Sequence, residues 1–117
     1  MASNPRKSAQ TKIKKKLDAL FTNVPAEKQA AAELLTKRAA FLLAAEDELE
    51  RVMQANGYVD VYDNGGGQTG TMVSATLKAY TQCNQQLLST IRQLREFLPA
   101  DDSAGRDELT EFLKQHK

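Results

Sequence analysis

Residues 73–98 read VSATLKAYTQCNQQLLSTIRQLREFL. Within them Leu77, Tyr80, Asn84, Leu87, Ile91, Leu94 and Leu98 recur at alternating steps of three and four. That spacing puts seven side chains on one helix face, and an apolar face of this kind must be buried. Working outward, Leu35, Ala39, Leu42, Ala45, Leu49 and Val52 repeat the pattern in an upstream arm that runs from Pro25 to about Asn56. Two such arms joined by a Gly-rich interruption predict an all-α fold built on a long antiparallel helical hairpin. The hairpin occupies residues 23–98, with a short, possibly β-like connector at 57–73. A basic N-terminal arm (1–22) precedes it, small, polar and Pro-containing over residues 1–8, which are expected to lack structure until bound, with a short helix from about Ala9 to Phe21. A short C-terminal helix (99–117) follows.

Local signals set the boundaries. Pro25 suits the first position of a helix, where its missing N–H is no loss, and Glu27 favours a helix N-terminus. Gly57 is a natural left-handed cap, and Pro99 cannot continue the second arm. Asp101, Asp102 and Ser103 form a helix-start signal ahead of an apolar face of Leu109, Phe112 and Leu113. The first arm is rich in alanine, which favours helix and close approach of neighbours. Leu34 and Phe41 stand one position off its stripe, so its apolar face is broader than a hairpin needs. Other subunits, the terminal helices or both would cover the surplus. The candidate oligomerisation residues are therefore Leu34, Phe41, Leu77, Tyr80, Asn84, Leu87, Ile91 and Leu94. Asn84 either fixes register as a polar residue in a heptad core or marks a splayed point where it meets water or a carbonyl.

Charge is segregated along the chain. The 117 residues suit one domain and carry a formal net charge of only +1. Residues 1–17 nevertheless hold Arg6, Lys7, Lys12, Lys14, Lys15 and Lys16 and no acid. Such an arm on a mildly acidic body meets nucleic acid or another polyanion. These six cations are the candidate DNA-binding residues, each adding salt-dependent affinity by neutralising a phosphate. The alternative is a solvated amphipathic helix, with Ile13, Leu17, Leu20 and Phe21 on the buried face and the lysines keeping the rest soluble. No aromatic residue interleaves with the lysines, so base stacking is not expected. No apolar run approaches the roughly 18 residues of a membrane span. The N-terminus lacks the apolar core of a secretory signal, and the single Cys83 allows no internal disulfide. The expectation is a cytoplasmic protein with no membrane partner and no cofactor.

The connector, residues 58–72, reads YVDVYDNGGGQTGTM. Tyr58, Val59, Val61 and Tyr62 favour strand, and Asp-Asn-Gly followed by glycines favours a turn. A small hairpin at the tip of the helical pair is expected. GGGQTG lacks the Lys-Ser/Thr pair of a phosphate-binding loop and follows a helix rather than a strand. Glu46, Asp47, Glu48 and Glu50 cluster, but without histidine or further carboxylates at ligand spacing they read as a solvated acidic face, not a metal site. His116 stands alone and Cys83 lies within a helix, so no catalytic arrangement is present and the chain is expected not to be an enzyme.

One resemblance rests on the connector and what surrounds it: Gly57-Tyr58, Tyr62-Asp63-Asn64-Gly65 with Gln68 and Gly70, Ala79-Tyr80, and the closing run from Ile91 to Leu98. From about Leu49 to Leu98 the chain resembles the P27-type family of phage terminase small subunits. It carries Thr71-Met72-Val73-Ser74 where many of those proteins have a proline. The resemblance implies a non-catalytic DNA-packaging factor that forms a ring-shaped homo-oligomer, binds double-stranded viral DNA and regulates the large terminase subunit. It also implies work in the host-cell cytoplasm. Read without the resemblance, the chain also fits a small coiled-coil adaptor or regulatory interaction protein with no DNA role. A plain adaptor needs neither the segregated charge nor the Gly-rich tip.

Overall fold

The computed structural model describes residues 5–98 and 103–116. Four helices and one two-stranded sheet follow in the order α1 (Pro5–Leu20), α2 (Ala26–Asn56), β1 (Val59–Gly65), β2 (Gln68–Val73), α3 (Ala75–Glu96) and α4 (Ser103–Gln115). The architecture is all-α: α2 and α3 form the expected long hairpin and the strands form its tip. The molecule is elongated, 64 × 38 × 24 Å with a radius of gyration of 18.3 Å, against roughly 13 Å for a compact chain of this length.

The turns follow from the residues that occupy them. Gly57 ends α2 with φ 83° and donates its N–H to the Met53 carbonyl at 2.7 Å, a conformation only glycine adopts without strain. Gly66 and Gly67, both at positive φ, form the two-residue loop between antiparallel β1 and β2. Val59 lies opposite Val73, and a bulge falls between Asp63 and Gly65. Positive φ at both loop positions gives the turn that matches the strands' own twist. Ser74 then caps α3, its hydroxyl accepting from the Leu77 N–H at 3.0 Å. The Asp60 carboxylate accepts from the Ala75 N–H at 3.3 Å, so the ribbon helps to start the helix that leaves it.

The core sits at the end of the hairpin away from the ribbon. Ile13, Leu17 and Phe21 of α1 and its turn meet Ala39, Ala40 and Leu43 of α2, Leu87 and Leu94 of α3, and Leu109 of α4. Leu17 and Leu94 are completely enclosed. α1 runs back along α2, and α4 returns over the same core. Arg106 donates to the Leu98 carbonyl at 3.1 Å, and His116 Nε2 lies 3.0 Å from Asp47 Oδ2.

Three expectations are corrected. The stripe of α2 that faces inward is Ala32, Thr36, Ala39, Ala40, Leu43, Glu46 and Met53, about one residue out of phase with the stripe read from the sequence. Val52, expected inside, is exposed. The spacing was right and the phase was not, because α2 is held by α1 as well as α3 and turns its buried arc between them. Residues 5–8, expected to lack structure, belong to α1, while the same expectation for residues 1–4 lies outside the described residues. Pro25 caps α2 with an extended ψ of 146° instead of opening the helix itself.

Candidate nucleic-acid interface

The six cations of the N-terminal arm divide by helix phase. Ile13 and Leu17 are buried against α2, which fixes which way every other residue of α1 points. Lys12, Lys15 and Lys16 lie at spacings of three and four on the outward side, all exposed. Among the described residues no carboxylate pairs with any of the three. Lys7 is also exposed and shares a flank with Thr11 and Lys14.

Lys14 and Arg6 are differently engaged. Lys14 is half-buried between the helices, with its ammonium 2.7 Å from Asp18 Oδ2 and 2.8 Å from Glu33 Oε1. Burial works to lower its pKa, but hydrogen bonds to Asp18 and Glu33 and the charges of both leave it raised. Its cation is neutralised by the fold and pins α1 to α2. The Thr36 hydroxyl completes this cluster, 3.2 Å from Asp18 Oδ1. Arg6 reaches Glu48 of α2 at 2.6 Å while its side chain stays largely exposed. The structure therefore brings Lys12, Lys15 and Lys16 together as one unneutralised ridge and sets Lys14 apart from it.

The acidic run of α2 is split as well. Glu48 faces Arg6, Asp47 faces His116, and Glu50 lies 3.4 Å from the Tyr80 hydroxyl. Of these four, Glu46 alone turns inward, 6 % exposed, with one carboxylate oxygen sealed and, among the described residues, without a hydrogen-bond partner. Burial, and then the charges of Glu50 and Asp47, raise its pKa to about 6. Burial together with Glu50 and Glu46 also raises that of Tyr80. Among the described residues no group of histidine, cysteine and carboxylates is arranged to hold a metal ion.

The residues expected to mediate oligomerisation fall into two sets. Leu87 and Leu94 are buried in the chain's own core, and Leu77, Tyr80, Asn84 and Ile91 are half-buried along α3. Leu34 and Phe41 are 50 % and 57 % exposed on the side of α2 away from the core. A groove beside them is lined by Lys37, Arg38, Gln86 and Thr90. Sequence reading passed over Arg38, although it stands four residues after Leu34 and three before Phe41. Glu46 was also legible, three residues after Leu43 and seven before Met53 of the buried stripe. The ribbon exposes a second apolar surface, with Val61 75 % exposed beside Val59 and its cross-strand partner Val73 on one face.

Among the described residues no helix is long and apolar enough to cross a membrane. Comparison of the chain with protein-family models, with curated proteins and with solved structures gives no match.

Proposed function

We propose that the chain is a non-catalytic DNA-binding factor of the phage-packaging kind, similar to a small terminase subunit. It would bind double-stranded DNA through the phosphate backbone, associate with copies of itself and act on a large subunit in the cytoplasm of an infected cell. The observation that carries the reading is the ridge of Lys12, Lys15 and Lys16, three exposed cations on one outward helix face with no carboxylate among the described residues to neutralise them. A helix kept soluble by charge alone is served equally well by mixed signs. A helix that meets phosphates gains from a single sign, because each contact releases counterions. The resemblance implies a long helix that ends at a glycine, an extended, turn-rich segment and a second helix with a leucine-rich end, and the glycine-capped α2, the tip and α3 are compatible with that order.

The test is to replace Lys12, Lys15 and Lys16 together by glutamine and to measure binding to a short DNA duplex across a salt series. Three lost phosphate contacts lower the slope of log K against log [salt] by about 3 for each chain bound. Lys14→Gln is the control: it leaves that slope near the wild-type value and lowers stability, because Lys14 serves Asp18 and Glu33. A triple variant with unchanged affinity and slope overturns the assignment.

A further inference from the structure

The side of α2 that faces away from the core carries a heptad stripe of its own. Leu34, Arg38, Phe41, Ala45, Glu48 and Val52 follow one another at steps of four, three, four, three and four, the seam of a two-helix coiled coil. None of the six is buried, and Leu34, Phe41 and Val52 are exposed apolar side chains. Among the described residues the intrachain core therefore leaves this stripe largely uncovered. Grooves border it along both halves, one beside Leu34 and Phe41 and the other beside Glu48 and Val52.

The order of residues identifies the partner. Leu34 and Val52 stand nine residues to either side of Leu43, Arg38 and Glu48 five, and Phe41 and Ala45 two. A second α2 laid antiparallel about a two-fold axis level with Leu43 sets Leu34 against Val52. The same axis sets the bulky Phe41 over the small Ala45 and Arg38 against Glu48. Every layer is then large on small, apolar on apolar, or cation on anion, and each occurs twice. A parallel pairing instead opposes Arg38 to Arg38 and Glu48 to Glu48, which is repulsive. Glu48 already accepts from Arg6 of its own chain, and a carboxylate has lone pairs for a second guanidinium.

We propose that this face of α2 is a homodimer interface, occupied by the α2 of a second copy in antiparallel register with Arg38 paired to Glu48 across the two-fold axis. The inference stands whether or not the chain binds DNA, since none of its six residues belongs to the lysine ridge. The seam spans 18 residue steps, about 27 Å of helix, which places it at the small end of specific interfaces.

The experiment is sedimentation equilibrium from about 1 μM to about 1 mM, the range in which a contact of this size associates. The wild type is expected to pass from its protomer mass of 12.9 kDa to twice that value. Phe41→Glu and Arg38→Glu, both at exposed positions, are expected to keep the wild-type circular dichroism and to weaken association by at least about tenfold. The double variant R38E/E48R restores the cross-pairing and is expected to dimerise again. A wild type that stays monomeric throughout overturns the proposal. So do a limiting mass other than the dimer's, association indifferent to Phe41→Glu and Arg38→Glu, and failure of the charge swap to restore it.

Discussion

Glu46→Gln should make the protein more stable at neutral pH, and its effect should vanish in acid. Glu46 is enclosed by the hairpin with one oxygen sealed and, among the described residues, unpartnered. Glu50 and Asp47 stand near its charge, the Tyr80 hydroxyl sits on Glu50, and His116 sits on Asp47. The rise from 4.5 to about 6 corresponds to about 2 kcal/mol against the ionised form. The second oxygen retains solvent contact, and screening there reduces the expected effect to about 1 kcal/mol. Below pH 4.5 the group is protonated in both states and imposes no penalty. Between 4.5 and about 6 the unfolded chain gives up its proton while the folded one keeps it, so stability falls as pH rises. Above that window the penalty is complete. Glutamine keeps the shape and removes the charge. Urea titrations followed by circular dichroism, near pH 3.5 and near pH 7.5, should give matching midpoints for wild type and variant in acid. At the higher pH the variant should gain about 1 kcal/mol, or roughly 3–5 °C in melting temperature for a chain of this size. A gain of equal size at both pH values, or a loss at the higher one, would refute the reasoning.

Two further outcomes test the packing. Leu17→Ala and Leu94→Ala, each emptying a fully enclosed site in the core, should each cost about 2–5 kcal/mol in urea denaturation, whereas Val61→Ala on the exposed ribbon should stay within about 0.5 kcal/mol. Ser74→Ala removes the acceptor for the Leu77 N–H at the start of α3. It should cost about 1 kcal/mol and speed amide exchange at Leu77, and unchanged exchange there would count against the cap.

The parts of the fold that were legible in the sequence are those decided by a residue's own backbone. Gly57, Gly66, Gly67 and Ser74 mark where α2 stops, where the ribbon turns and where α3 starts, and each holds a conformation or a hydrogen bond that few other residues supply. Phase was not legible in the same way. Period follows from helix geometry, but which residue of α2 points inward depends on how many neighbours surround it. The stripe ending in Val52 was read as if α3 were the single neighbour. The cations of the N-terminal arm show the same limit. One-dimensional charge grouped Arg6, Lys7, Lys12, Lys14, Lys15 and Lys16, while the fold turns Lys14 inward to Asp18 and Glu33 and leaves Lys12, Lys15 and Lys16 outside. Glu33 lies 19 residues from Lys14, so only the packing of α1 on α2 brings that pair together.

The lysine ridge and the proposed dimer seam are compatible in a specific way. Glu33 and Glu48 of α2 turn towards α1, and Glu50 turns towards α3, so α1 and α3 occupy different flanks of α2. A two-fold axis that passes between two antiparallel α2 helices, normal to both, carries each flank onto the same side of the pair. Both copies of α1 then lie on one face of the dimer, and each ridge of Lys12, Lys15 and Lys16 is doubled there. Two ridges held rigidly on one face would bind a single duplex with an effective concentration that separate chains lack. The same symmetry bears on larger assemblies. An isologous contact closes at two subunits, whereas a ring is propagated by a heterologous one. A ring built from this chain would therefore need a second surface, and the exposed apolar face of the ribbon around Val59, Val61 and Val73, at the opposite end of the hairpin from the core, is one surface still open once α2 is paired.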